Sequence, residues 1–241
     1  MILKLADIVI EVKSRYRYTY DICHDYLYSG RKPPSFSVFA TNEQIADERK
    51  KSPGYSDDVL ESTCIYRNIC NELLRYDAIL IHSAAICVDT QAYLFSAKSG
   101  TGKTTHVNLW LDKFGERAFI INGDKPILRK IDNKFYACGT PWCGKEGSNK
   151  NVCVPIKGIC ILERGADNKI DYAENKEALL FLLTQTPIPQ KKESAEQMLD
   201  NLGKLIESVP VYRLRCNMEL AACDVAYGAM SGDVIGKKAE F

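Results

Sequence analysis

The sequence has almost no net charge, since 32 Lys and Arg stand against 31 Asp and Glu and leave +1. Without a basic surplus, neither nucleic acid nor an anionic membrane is an expected partner. No apolar run approaches the roughly 20 residues that a spanning helix requires. The opening MILKLADIVIEVK is interrupted by Lys4, Asp7 and Glu11, so it does not read as a secretory leader. Only three histidines occur, scattered along the chain, and none of the ten cysteines has C-x-x-C spacing, so no structural zinc site is expected. With 241 residues and 46% hydrophobic side chains, the chain can fill a core without a disulfide framework. Free thiols and a cytoplasmic location are the expectation. Internal repeats and low-complexity segments are also missing.

What is there centres on residues 93–110, YLFSAKSGTGKTTHVNLW. An apolar run (Tyr93, Leu94, Phe95) predicts a buried strand, a small turn follows, and Val107, Leu109, Trp110, Leu111 and Phe114 predict a helix beginning near Lys103. Strand, glycine turn and helix in that order are the setting of a phosphate-binding loop. Backbone N–H groups of a turn without bulky side chains can converge on a phosphate, and the helix N-terminus adds partial positive charge. Ala97, Lys98, Ser99, Gly100, Thr101, Gly102, Lys103, Thr104 and Thr105 are the candidate nucleotide-binding residues. Lys103 would reach the β- and γ-phosphates of ATP or GTP, and the Thr104 hydroxyl would sit on Mg²⁺. The full pattern starts with Gly where this chain has Ala97, a residue that suits the turn only if its φ is negative.

Elsewhere, residues 2–12 predict a strand. Residues 15–20 (RYRYTY), if extended, place three tyrosines on one face. Residues 35–40 predict a strand, and Thr41 with Gln44 forms a capping-box signal for a helix to about Lys51. Residues 56–75 predict a helix carrying Glu61 and Arg67, read as surface or ion-pair residues. Residues 79–96 predict two strands about the turn Asp89-Thr90, with His82 at the end of the first apolar run. Residues 118–121 predict a strand ending at Asn122-Gly123-Asp124, where a carboxylate beside the loop suits Mg²⁺. A hairpin about Asp132-Asn133 is followed by a polar loop over 139–150 with Lys145 and Glu146. Then come a strand over 154–162, helices over 175–184 and 193–207, a strand over 210–214, a helix over 218–230 and a loose tail from Ser231. The expected organisation is an N-terminal α/β subdomain (1–76) on a nucleotide-binding core (77–241).

These residues resemble the family of HPr kinase/phosphorylase and ATP-dependent phosphoenolpyruvate carboxykinase. The resemblance rests on IHSAAICVDTQAYLFSAKSGTGKTT, INGDKP, GTPWCGKE and VPIKGICILERG, and covers about residues 79–165. Small bacterial proteins of the HPr-kinase-like type also share PVYRLRC at 210–216. The resemblance implies an α/β fold, a P-loop-containing twisted mixed sheet flanked by helices. It places His82, 21 residues before Lys103, on the strand feeding the site. Asp124 matches one of two family carboxylates, Gly123 stands where the other would be, and Glu146 is the positional match to a metal-binding Glu. The implied catalytic set is Asp124, His82, Lys103 and Glu146, and the implied metal set is Thr104, Asp124 and Glu146. The oxaloacetate-side residues of a full carboxykinase are not found.

The chain therefore reads as an ATP-dependent (or GTP-dependent) kinase. Its acceptor would be a hydroxyl on a small molecule, peptide or protein. Gly123 supports the rival, a nucleotide-binding accessory protein of a peptide-modification pathway without turnover. A phosphorylase running the reverse reaction is the third reading.

Overall fold

A computed structural model describes residues 1–232. The N-terminal part forms a small sheet of β1 (Ile2–Leu5), β2 (Ile8–Lys13) and, after α1 (Arg17–Ile22), β3 (Phe36–Phe39). Helices α2 (Asn42–Lys51) and α3 (Asp57–Leu73) complete it. The capping box at Thr41 forms as the sequence predicts, with Thr41 and Gln44 satisfying each other's backbone N–H groups. Leu3, Leu5, Ile8 and Ile10 pack with Leu60, Ile65 and Ile69 of α3 in one cluster that also takes in Leu80, Ile127 and Cys138.

Residues 15–20 are not extended, as the alternation suggested. Helix α1 begins at Arg17, after Tyr16 as its N-cap, and Tyr16, Tyr18 and Tyr20 are exposed while Thr19 is buried. The cause is Glu61, which is wholly buried and not a surface residue. Its carboxylate accepts from Ser14 Oγ (2.8 Å) and from the backbone N–H of Arg15 and Tyr16. That long-range anchor turns the chain before a strand can continue. Arg67 does form an ion pair, with Glu48.

The main sheet is built from β4 (Ala78–Leu80), β5 (Ala84–Val88), β6 (Gln91–Ser96), then, after α4 (Lys103–Phe114), β7 (Ala118–Asn122), β8 (Ile127–Ile131), β9 (Lys134–Cys138) and β10 (Cys153–Arg164). There follow β11 (Lys169–Tyr172), α5 (Asn175–Thr184), α6 (Lys192–Ser208), β12 (Val211–Cys216) and α7 (Leu220–Ser231). The strand order is β4-β8-β9-β10-β6-β5-β7, with β12 parallel to β10 and β11 antiparallel to β12. Parallel β10–β6 and β10–β12 pairs lie beside antiparallel β5–β6 and β5–β7 pairs, so the sheet is mixed.

Period-two alternation sorts its side chains onto two faces. Leu94, Ala85 and Ile159 join α5 and α6 on one face, while Phe95, Ile86 and Cys160 join Trp110 of α4 and Cys223 of α7 on the other. Each fully buried Leu, Ile or Phe of these layers contributes about 1.5–3 kcal/mol of transfer free energy.

Two expectations for this region change. The apolar run at 79–88 is one stretch in sequence but splits, with β4 pairing with β8 and β5 with β6 and β7. The split falls at 81–83, where His82 N–H donates to Gln185 O (2.8 Å) and Ser83 N–H to Asp124 O (3.0 Å). Nor are all cysteines free. Cys138 and Cys153 are opposite each other on antiparallel β9 and β10 and form a disulfide, while eight remain thiols. The loop expected to run over 139–150 is thus closed at its base by a covalent bond. The predicted tail from Ser231 lies, from residue 233 on, outside the described residues. Among the described residues, no helix is long and apolar enough to cross a membrane.

Candidate functional site

The ends of β6, β5 and β7 share one edge of the sheet, because Phe95 pairs with Ala84 and Asn122 with Ala85. The turn after β6, the break before β5 and the turn after β7 therefore meet. Ala97 is buried and is not among the residues with positive φ, so it serves where glycine is the usual choice. Gly100 and Gly102 do require their freedom, with φ of 76° and 120°, and a Cβ at either would meet nothing within 4 Å. Thr101 closes the turn with its N–H and hydroxyl on Lys98 O (3.1 and 2.8 Å). Lys98 and Ser99 are exposed, and the turn presents open backbone to solvent.

Lys103 is the first residue of α4, with Thr104 and Thr105 behind it. Burial lowers its ammonium below the usual lysine range, and the Asp124 charge opposes that only in part. Among the described residues no carboxylate forms an ion pair with Lys103, although the structure pairs many other lysines. A partly buried, unpaired cation at a helix N-terminus is a site for an anion.

Asp124 follows Asn122, whose buried amide builds the turn. Its Oδ1 accepts from the N–H of Asp124 (2.9 Å) and Lys125 (2.6 Å), and its Nδ2 donates to Thr140 O (2.9 Å). His82 Nε2 lies 2.8 Å from Asp124 Oδ1, and Lys125 Nζ lies 2.9 Å from Oδ2. Burial raises the Asp124 carboxyl, but the hydrogen bonds from His82 and Lys125, with their charges, outweigh it and hold it at about 2. A ring nitrogen that faces a carboxylate this closely carries a proton, so in neutral His82 the lone pair is on Nδ1. Ser96 Oγ fixes the His82 carbonyl from the strand end of the glycine turn (2.9 Å).

The loop over 139–150 lies against this turn. Gly123 N–H donates to Ser148 O (2.9 Å), Lys150 N–H to Ile121 O (3.0 Å), and a Cβ at Gly144 would be 3.2 Å from Asp124 Cβ. Trp142 anchors the loop on α3, donating to Ser62 Oγ (3.1 Å) and packing on Tyr66. Tyr26 donates to Asn149 (2.6 Å) from the N-terminal sheet's side. A Cβ at Gly123 would meet Cys143 O at 3.1 Å and Ser148 O at 3.6 Å, so a second carboxylate there would press on the loop backbone. Glu146 is exposed, two residues beyond Gly144, and makes no ion pair among the described residues.

His82 and Asp124 are thus in contact, with Lys103 near enough to feel the Asp124 charge, while no contact among the described residues joins Glu146 to them. Sequence reasoning missed Arg164, which ends β10 beside the loop strand and donates to Gly100 O (2.6 Å) and Thr101 O (3.3 Å). The signal was the strand over 154–162, whose parallel pairing with β6 carries its last residue to the turn. Among the described residues, no three His, Cys, Asp or Glu side chains gather to hold a metal by themselves. Mg²⁺ bound with phosphates asks for less, about one or two carboxylates, and Asp124, held ionised by its neighbours, is a carboxylate of that kind.

No family model matches the chain, and no curated protein matches it in sequence. Among solved structures, the Hpr(Ser) kinase/phosphatase from Coxiella burnetii is similar at a TM-score of 0.38 and 8% identity, over 62% of this chain and 95% of that one. A likeness that slight carries no argument.

Proposed function

We propose that this chain is a P-loop kinase that transfers the γ-phosphoryl group of ATP or GTP to a hydroxyl of a small molecule, peptide or protein. The observation that carries the reading is Lys103, an unpaired and partly buried cation where a glycine-bracketed turn opens onto α4. The amides of 98–103 other than that of Thr101, which closes the turn, hold the phosphates together with the Lys103 ammonium, and Arg164 keeps the turn in shape from behind its carbonyls. Mg²⁺, held by Thr104 and Asp124, supplies charge neutralisation when bound with the nucleotide. With its carboxyl at about 2, Asp124 is a poor proton acceptor and suits a cation. It also fixes the ring of His82, whose Nδ1 takes the acceptor proton. Glu146 contacts the acceptor or a metal. Residues 1–76 act as a subdomain whose α3 braces the covering loop, and 77–241 as the nucleotide core.

The accessory reading keeps one specific support: the crowding at Gly123, which leaves a single carboxylate. A thermal melt with and without Mg²⁺–ATP or Mg²⁺–GTP tests the common premise. Nucleotide at about 100 times its Kd adds about 2.7 kcal/mol, or about 5–10 °C for a chain of this size. Lys103→Ala should abolish the shift. No shift in the wild type overturns the proposal, whereas a shift without turnover on any hydroxyl acceptor selects the accessory protein.

A further inference from the structure

The polar loop beside Asp124 is stapled where it leaves and rejoins the sheet. Cys138 ends β9 and Cys153 begins β10, directly opposite each other, and their disulfide closes residues 139–152 into a ring. Noncovalent support at that base is small. Strands β9 and β10 pair over three residues each, one of them Pro155, which has no N–H to give. One more hydrogen bond, Gly139 N–H to Val152 O (3.0 Å), lies inside the ring. Elsewhere the loop is held from two sides. Trp142 and Asn149 are tied to Ser62 and Tyr26 of the N-terminal part, while Ser148 O and Lys150 N–H are tied to Gly123 and Ile121 beside Asp124. The bridge keeps the second set in register, because it fixes the returning strand to the one from which the loop departs.

Its two sulfurs are not equally reachable. Cys138 is wholly buried, whereas Cys153 is exposed. The other eight cysteines are thiols, seven of them buried, and burial pushes all eight above the usual thiol range. A thiol in that state is seldom ionised and reacts poorly. Sulfur chemistry at the surface of this chain is therefore concentrated at Cys153.

We infer that the Cys138–Cys153 bridge is a thiol–disulfide exchange site, opened by a dithiol, and that its state controls the loop beside Asp124. A thiolate of the dithiol attacks Cys153 Sγ. The S–S bond breaks, and its electron pair goes to Cys138 Sγ, which takes up a proton. The partner's second thiolate then attacks the partner's own sulfur in the mixed disulfide and releases Cys153, which is protonated in turn. Two electrons pass to this chain, whose cysteines end as thiols, and the partner ends as a disulfide. With the bridge intact the loop braces the Asp124 turn; once it opens, the same hydrogen bonds must hold a segment that is free at its base. The bridged form is therefore the one that binds Mg²⁺–nucleotide more tightly, a consequence that rests on the phosphate site proposed above, whereas the exchange and the loosening of the loop do not. Linkage makes the effect reciprocal, so nucleotide protects the bridge from reduction by the same factor.

Brief treatment of the native protein with glutathione, followed by acid quench and peptide mass mapping, should place the mixed disulfide on Cys153 and none on Cys138. Dithiothreitol should open the bridge without denaturant, and limited proteolysis should then cut within 139–152. By isothermal titration, Mg²⁺–ATP or Mg²⁺–GTP should bind the reduced protein about fivefold or more weakly than the bridged one. In a buffer of reduced and oxidised dithiothreitol, saturating nucleotide should raise the ratio of bridged to open protein by that same factor. The double variant Cys138→Ser, Cys153→Ser should behave as the reduced wild type and ignore dithiothreitol; if it does not fold, reduction of the wild type makes the comparison alone. An adduct on Cys138, or a bridge that yields only when urea unfolds the chain, overturns the exchange site. Equal cleavage of the two forms, or equal affinity for nucleotide where both bind it, overturns control of the loop. Failure of both forms to bind nucleotide sinks the phosphate reading instead, and cleavage alone then decides the loop.

Discussion

Lowering the pH from 7 to 5 should destabilise this protein through one buried ring. His106 is held to about 4 by burial, against 6.5 for an unburied histidine. The folded value is the depressed one, so as pH falls the unfolded chain takes up the proton first. The contribution is therefore complete above 6.5, is lost as pH falls through the window from 6.5 to about 4, and is flat below it. Two-state linkage with these values gives a penalty well under 1 kcal/mol at pH 7 and about 2 kcal/mol at pH 5. That loss is a large share of the ~5–15 kcal/mol that holds a typical domain together. Urea unfolding followed by far-UV circular dichroism at both pH values measures it. Other groups titrate in the same range, so the quantity of interest is the wild-type loss minus that of His106→Phe, whose ring cannot titrate. His106→Phe also strands the Trp110 indole N–H and should be less stable at pH 7, yet its decline with acid should be shallower by about 2 kcal/mol. Equal declines in the two proteins would refute a neutral, desolvated His106.

Asp124→Asn, which keeps the shape but not the charge, should retain the far-UV spectrum and lose at least about 100-fold in acceptor phosphorylation. Wild-type turnover in that variant would move the metal and positioning roles elsewhere. Gly123→Asp should not awaken activity. Its Cβ would crowd the Cys143 and Ser148 carbonyls and its charge would face them, a cost of about 1–3 kcal/mol visible as a lower Tm; a variant both as stable and more active would be inconsistent with the packing. Cys153→Ser, or a dithiol reductant on the wild type, opens the loop closed by a bridge of sequence separation 15. A loss of about 3 kcal/mol in urea unfolding and new protease cleavage in 139–152 are expected, and unchanged stability would mean the bridge constrains nothing.

Where local chemistry decides structure, the sequence was legible. The capping box at Thr41, the hairpins at Asp89-Thr90 and Asp132-Asn133 and the helix over 175–184 each depend on residues within a few positions of one another. The glycine turn belongs to the same class. Partners remote in sequence decided the rest. Glu61 reaches 46 residues back to Arg15 and converts an apparently alternating stretch into a helix. Gln185 and Asp124 hold the backbone where one apolar run becomes two strands. Cys138 and Cys153 are unremarkable in spacing and meet only because β9 and β10 are antiparallel neighbours. Lys103 at the start of α4 and Asp124 after β7 stand where the strand and helix pattern placed them along the chain, while the contact between His82 and Asp124 is a product of the fold. Arg164 was not readable, since it gains its meaning from the strand order.

Strand β10 has a bearing on how the molecule comes apart. Its first residues, Cys153 to Pro155, pair with β9, and from Ile159 to Ile161 it is paired with β6 on one edge and β12 on the other. Its inner residues from Gly158 to Leu162 are buried, alternating between the two cores. Fraying that starts at the disulfide end or at Arg164 must halt there, because opening those amides breaks two ladders and exposes both cores at once. In native-state hydrogen exchange, the amides of Ile159–Ile161 should accordingly exchange only through global unfolding, which ties the covering loop and the glycine turn into one cooperative unit.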